Sequence, residues 1–136
     1  MNKQLDPKTK SDTDWKAELS PAAYDVLRKK GTEHAFTGKY WNTHDSGLYR
    51  CAGCGNPLFD AKDKFDSGTG WPSFTRPVSP DSVEEHIDRS FGMRRTEVVC
   101  ARCKGHLGHV FDDGPAPTHI RYCMNSISLD FEKKEP

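Results

Sequence analysis

Ile120-Arg121-Tyr122-Cys123-Met124-Asn125 lies in the best strand pattern of the chain, His119 to Phe131. Side chains on a strand alternate between faces with period two. One face then carries His119, Arg121, Cys123 and Asn125, followed by Ile127, Leu129 and Phe131. The other carries Ile120, Tyr122, Met124, Ser126, Ser128 and Asp130. The first face changes from polar to apolar halfway along. Arg, Cys and Asn in series on a face that later becomes core make sense if the polar half lines a cavity with Cys123 at its centre. A cation at Arg121 favours the thiolate of Cys123 over the thiol.

Cys123 is also the odd cysteine of five. The other four form two Cys-x-x-Cys pairs, Cys51/Cys54 and Cys100/Cys103. Each pair follows a strand-like segment and is followed by a leucine, Leu58 or Leu107, at the same offset, so one turn motif occurs twice. A two-residue gap lets a tight turn aim two sulfurs at one point, and two such turns present the four thiolates that structural zinc prefers. Gly53, Gly55 and Gly105 are expected to relax the backbone there. A Cys2His2 set drawn from Cys100, Cys103, His106 and His109 would strand Cys51 and Cys54. A dithiol redox pair would not need a second copy of itself. Four thiolates on one zinc is the simpler reading, and it frees both histidines.

Away from the cysteines the chain is polar and evenly charged. It has 136 residues, with 20 Lys plus Arg against 20 Asp plus Glu. Zero net charge argues against a nucleic-acid footprint, which should be basic. No apolar run approaches the ~18 residues of a membrane span. Residues 1–13 are nearly free of apolar side chains, carry no signal-peptide core, and are expected to form a mobile tail before a single domain at 14–136. A cytoplasmic protein with reduced thiols follows. Ser20 as N-cap, Pro21 at the first helical position, Tyr24 and Leu27 on one face and a basic last turn predict a helix over 21–30 capped by Gly31. Strands and turns then take over: a short element at 36–40, strands around 48–50, 83–90 and 96–99, a glycine-rich loop at 66–70, a turn at 112–117 and a charged tail at 133–136.

Two further features stand near this chemistry. His106-Leu107-Gly108-His109 follows the second knuckle directly, and Asp112 and Asp113 lie within reach to orient an imidazole. A lone histidine is more often structural than catalytic, so this segment is an even choice on sequence alone. Trp71, set between Gly70 and Pro72, is either core or the wall of a pocket.

Together these motifs, with Ser67 through Phe74, His106 through Phe111 and Arg121 through Ser126, resemble the B-type methionine sulfoxide reductases. The resemblance runs in order over about residues 15–132. It implies a mainly β fold of two antiparallel sheets with short N-terminal helices, and a structural zinc on Cys51, Cys54, Cys100 and Cys103. It implies that Cys123 is the nucleophile and that Trp71 receives the substrate methyl group, with Phe111 also binding substrate. His106, His109 and Asn125 form the polar side of the pocket, Arg121 stands by the thiol, and Asp113 supports from behind. The activity implied is reduction of methionine R-sulfoxide, free or in proteins, a known repair of this lesion. Two-cysteine members of the family carry a resolving cysteine where this chain has Thr69. A sulfenic acid on Cys123 recycled by thioredoxin, glutaredoxin or a small thiol is therefore expected, in a monomer. The rival readings are a zinc-ribbon binding module, in which Cys123 would matter only for stability, and a thiol peroxidase or redox sensor.

Overall fold

In the computed structural model, which describes residues 10–89, 92 and 94–134, the stretch from His119 to Phe131 is not one strand. Arg121–Met124 is a strand of one sheet, Ser126–Ser128 is a 3-10 turn, and Leu129–Lys133 is a strand of another sheet. The chain leaves the first sheet at Asn125 and crosses to the second. Buried Ser126 and Ser128 make the crossing tolerable by satisfying backbone groups. The Ser126 hydroxyl accepts the Tyr40 N–H at 3.1 Å, and the Ser128 hydroxyl donates to the His106 carbonyl at 3.0 Å. The alternation read from sequence therefore holds for Arg121 to Met124, where Tyr122 and Met124 are core, and does not carry through to Ile127, Leu129 and Phe131.

Two helices precede the sheets. α1 (Asp12–Glu18) begins inside the stretch expected to be a tail. Ser11 and Asp14 form a reciprocal capping box, and Trp15 is buried beneath Lys10 and Arg28, whose cations lie 4.4 and 4.7 Å from its ring. Residues 1–9 of the expected tail lie outside the described residues, as do Ser90 and the last two residues of the charged tail. α2 (Pro21–Lys29) matches its prediction apart from its cap. The left-handed residue is Lys30, with φ of 59°, and Gly31 is needed for space, since a Cβ there would lie 2.3 Å from the Asp25 carboxylate.

Among the described residues, two antiparallel sheets follow. β1 (Gly47–Cys51) is the centre of the first, between β2 (Pro57–Asp60) and β9 (Leu129–Lys133). The second runs in the order β3 (Lys64–Phe65), β4 (Ser73–Phe74), β8 (Arg121–Met124), β7 (His106–Phe111), β6 (Arg95–Cys100) and β5 (Val83–Asp88). The segment at 36–40 forms turns instead of a regular element. Aromatic rings join the sheets: Phe59 stacks on Phe74 at 4.4 Å, and Tyr49, which packs on Phe131 of its own sheet at 4.6 Å, meets Phe74 at 5.1 Å. Such ring pairs add about 0.5–1.5 kcal/mol each beyond the area they bury.

Candidate active site and metal centre

Strand register brings the polar groups together. His86 of β5, Glu97 of β6, His109 of β7, Cys123 of β8 and Ser73 of β4 are successive cross-strand partners. Directly opposed residues share a face, so these five form one polar row across the six-stranded sheet. His106 and His109 are three residues apart, and regular alternation would put them on opposite faces. A β-bulge prevents this. Gly108 pairs with Val98 and His106 with Val99, leaving Leu107 as the extra residue. The two imidazoles thereby come to 5.4 Å between centroids at 68°.

Gly108 lets β8 come close enough to complete the arrangement. A Cβ at this position would sit 2.0 Å from the Cys123 carbonyl oxygen. Above the row lies a cavity of about 110 Å³ lined by Trp71, Arg95, His109, Phe111, Cys123 and Asn125, among others. A larger groove of about 690 Å³ runs between α2 and residues 37–40, but no cysteine lines it. The small cavity is the one with chemistry in it.

Each wall is held by named bonds. The Trp71 indole N–H donates to the Glu33 carbonyl at 3.0 Å, and the Glu33 N–H donates to the Asn125 side-chain oxygen at 3.0 Å. The Asn125 amide group in turn donates to the Leu107 carbonyl at 3.1 Å. Asp113 takes Arg121 in a two-point pair, 2.8 Å from Nε and 3.2 Å from the second nitrogen, while the guanidinium lies 4.4 Å over the Phe111 ring. This pairing holds the Asp113 carboxyl below the usual range. Neither Asp112 nor Asp113 orients an imidazole, contrary to the sequence expectation. Glu97 and Asp88 do so: Glu97 Oε2 lies 2.7 Å from His106 Nδ1, and Asp88 Oδ2 lies 2.9 Å from His109 Nε2. Both acids, with Arg95 and Glu33, were missed because their sequence neighbours carry no motif. The alternating strand 83–90 held the only hint of Asp88.

Burial pushes the Cys123 thiol up from its ordinary value. The Arg121 charge and hydrogen bonds from Thr69 and Arg121 pull it down without overcoming desolvation. Arg121 thus acts in the direction expected, but the net effect is a resting thiol that needs help to ionise. His106 is buried and lies outside the cavity lining, behind His109; desolvation lowers its pKa despite the Glu97 carboxylate.

The four paired cysteines converge as their spacing predicts. Their sulfurs all lie within 4.8 Å of one another, with Cys51 to Cys103 at 3.7 Å and Cys54 to Cys100 at 3.6 Å. A tetrahedron with ~2.3 Å metal–sulfur bonds has edges of ~3.8 Å, so the donor set fits an ion of that kind. The two knuckles repeat each other bond for bond. Cys51 N–H donates to Asn56 and Gly55 N–H to the Cys51 carbonyl; Cys100 N–H donates to Gly105 and Lys104 N–H to the Cys100 carbonyl. The matching residues, Gly55 and Lys104, are both left-handed, with φ of 80° and 64°. Gly53 and Gly105 serve space instead: their N–H groups each donate to a knuckle sulfur at 3.4 Å, and a Cβ on Gly105 would come within 3.0 Å of Leu27. Because Cys51 ends β1 and Cys100 ends β6, an ion here staples the two sheets.

The SelR domain model matches residues 19–133. The chain belongs to the SelR family. Its similarity to individual proteins extends over nearly the whole length. The peptide methionine sulfoxide reductase MsrB of Thiobacillus denitrificans is 58% identical over 126 residues, 93% of this chain and 96% of that protein. The MsrB of Agrobacterium fabrum is 56% identical over 133 residues, 97% of this chain and 98% of its own. That of Bradyrhizobium diazoefficiens is 58% identical over 125 residues, 92% of this chain and 90% of its own. For a SelR-family chain the two sheets, short helices and four-cysteine cluster are the expected frame. Among the described residues, no helix is long and apolar enough to cross a membrane.

Proposed function

We propose that this SelR-family protein is a thiol-dependent oxidoreductase that reduces methionine R-sulfoxide, free or within proteins, and so repairs oxidised methionine. The observation that carries the reading is Cys123 itself. It is the one cysteine outside the metal cluster, it faces a side-chain-sized cavity, and it pairs in register with His109.

The residues suit each step. Trp71 and Phe111 offer an apolar wall for the substrate methyl group, and the His109–Asn125 side offers hydrogen bonds to the sulfinyl oxygen. Two unlike walls around a tetrahedral sulfur select one epimer. Arg121, anchored by Asp113, favours the Cys123 thiolate as it forms. The thiolate attacks the sulfoxide sulfur while an imidazole protonates the oxygen. The attack forms a bond between the two sulfurs; the protonated oxygen then moves to the Cys123 sulfur as that bond and the substrate sulfur–oxygen bond break, so the substrate gains two electrons and leaves as methionine, and Cys123 becomes a sulfenic acid. One reductant thiol then displaces water to give a mixed disulfide, and a second restores Cys123 as the reductant leaves oxidised.

No second cysteine is free to resolve the sulfenic acid. Thr69 stands where two-cysteine members carry theirs, and its hydroxyl lies 2.7 Å from that of Ser67. Thioredoxin, glutaredoxin or a small thiol would supply the electrons in a cytoplasm that keeps thiols reduced, and the protein would act as a monomer. Zinc on Cys51, Cys54, Cys100 and Cys103 would join the sheets and take no part in the chemistry.

The deciding measurement is reduction of separated R and S epimers with dithiothreitol. Turnover of R alone, lost in Cys123→Ser, is expected. A protein that consumes peroxide and leaves both epimers untouched would be a peroxidase or sensor instead.

A further inference from the structure

The imidazole pair is not symmetric. Glu97 is a buried carboxylate whose two oxygens face different partners. Oε2 lies 2.7 Å from His106 Nδ1, and Oε1 lies 3.3 Å from the ammonium of Lys30, just past α2. The far nitrogen of His106, Nε2, is fully buried and has no hydrogen-bond partner among the described residues. On His109 the Asp88 carboxylate takes Nε2 at 2.9 Å, and that ring lines the Cys123 cavity.

Resting on the reductase reading above, we infer that Glu97 is a positioning residue that divides labour between the two histidines. By accepting the Nδ1 proton of His106 it makes that ring a hydrogen-bond acceptor at Nε2, and it leaves delivery of the proton to the sulfoxide oxygen to His109.

Three physical points carry this. If His106 bore its proton on Nε2 instead, a ring lone pair would face a carboxylate oxygen at 2.7 Å, acceptor against acceptor. If it bore both protons, a cation would sit in a site whose desolvation already disfavours charge. Lys30 weakens the pull of Glu97 toward that cation by taking the other oxygen. His106 is thus held neutral, with its lone pair available to a water or to an N–H beside His109. Asp88, 2.9 Å from Nε2 of His109, accepts the proton there, so His109 delivers a proton from Nδ1 only as the doubly protonated ring that this carboxylate supports. The charged and titratable groups facing the pair are Lys30, Asp88 on β5, Arg95 and Glu97 on β6, and Cys123 on β8. Glu97 and Asp88 are the two that touch a ring.

Nitrogen-15 spectra of histidine-labelled protein read the tautomer without turnover. The wild type should show His106 protonated at Nδ1 and unprotonated at Nε2, and Glu97→Gln should show mixed tautomers. His106 found protonated at Nε2, alone or in addition to Nδ1, overturns the inference. In parallel, Glu97→Gln should lower kcat about ten- to hundredfold with KM within about twofold, whereas His109→Gln should lower it about 10²–10⁴-fold. His106→Gln should lower kcat less than His109→Gln does; the reverse order also overturns the inference. If the wild type fails to reduce methionine R-sulfoxide, the functional reading falls, and the nitrogen spectra still decide the part played by Glu97.

Discussion

Replacing Gly108 with alanine tests the site where fold and chemistry meet. Its Cβ would fall 2.0 Å from the Cys123 carbonyl oxygen, 2.9 Å from Met124 Cα and 3.0 Å from the Cys123 carbonyl carbon. All three are backbone atoms of β8 or its edge, so no side chain can swing aside. A comfortable carbon–oxygen contact is ~3.3 Å, so β7 and β8 must part by about 1.3 Å at this point. Overpacking of this kind costs about 1–3 kcal/mol, and each ladder hydrogen bond lost at the Gly108–Met124 and His109–Cys123 pairs adds about 1 kcal/mol. A total of about 3 kcal/mol corresponds to a fall in Tm on the order of 10 °C for a chain of this size. The same shift moves Cys123 away from His109. Displacements near 1 Å cost about a hundredfold in rate, so kcat/KM for the R-sulfoxide should fall about that much even well below the new Tm. Calorimetry and dithiothreitol-coupled turnover on the purified variant give both numbers. An alanine variant within about 2 °C and threefold of the wild type would refute the claim that close approach of these strands builds the site.

Three more expectations follow from the geometry. Metal analysis should find one zinc per chain, and Cys51→Ser should lose it along with at least ~3 kcal/mol, a Tm drop of about 10 °C; a zinc-free protein of unchanged Tm would remove the staple from the account. Alkylation of Cys123 by iodoacetamide should show a midpoint above that of a free thiol, and Arg121→Ala should move it higher still, because the guanidinium is a force pulling the thiol down; superimposed curves would deny Arg121 any part. His106, held neutral mainly by burial, binds fewer protons folded than unfolded, so its contribution to stability is present above its unfolded value of ~6.5 and is lost as pH falls through that value toward the lowered folded one. Denaturant titrations between pH 7.5 and 5, chosen to span about that window, should therefore show a shallower acid loss in His106→Gln than in the wild type; equal slopes would mean that His106 is not the group responsible.

The sequence by itself determined the parts of this protein whose physics is local. Two residues between cysteines suffice to aim a pair of sulfurs, so the knuckles and their convergence were legible before any fold was known. The helix at Pro21 was legible from its cap and basic end, and α1 carried a readable signal in Ser11 and Asp14. Cys123 was singled out by arithmetic and by its polar neighbours at period two. Only the tertiary structure decided the face and partner of each remaining group. The bulge at Leu107 depends on how β6 pairs with β7, and it brings His106 and His109 together where plain alternation would part them. The break after Asn125 depends on a second sheet being there to receive β9. Glu97, Asp88, Arg95 and Glu33 became site residues because strands distant in sequence lie side by side, and the bonds they make across space leave no period or motif along the chain.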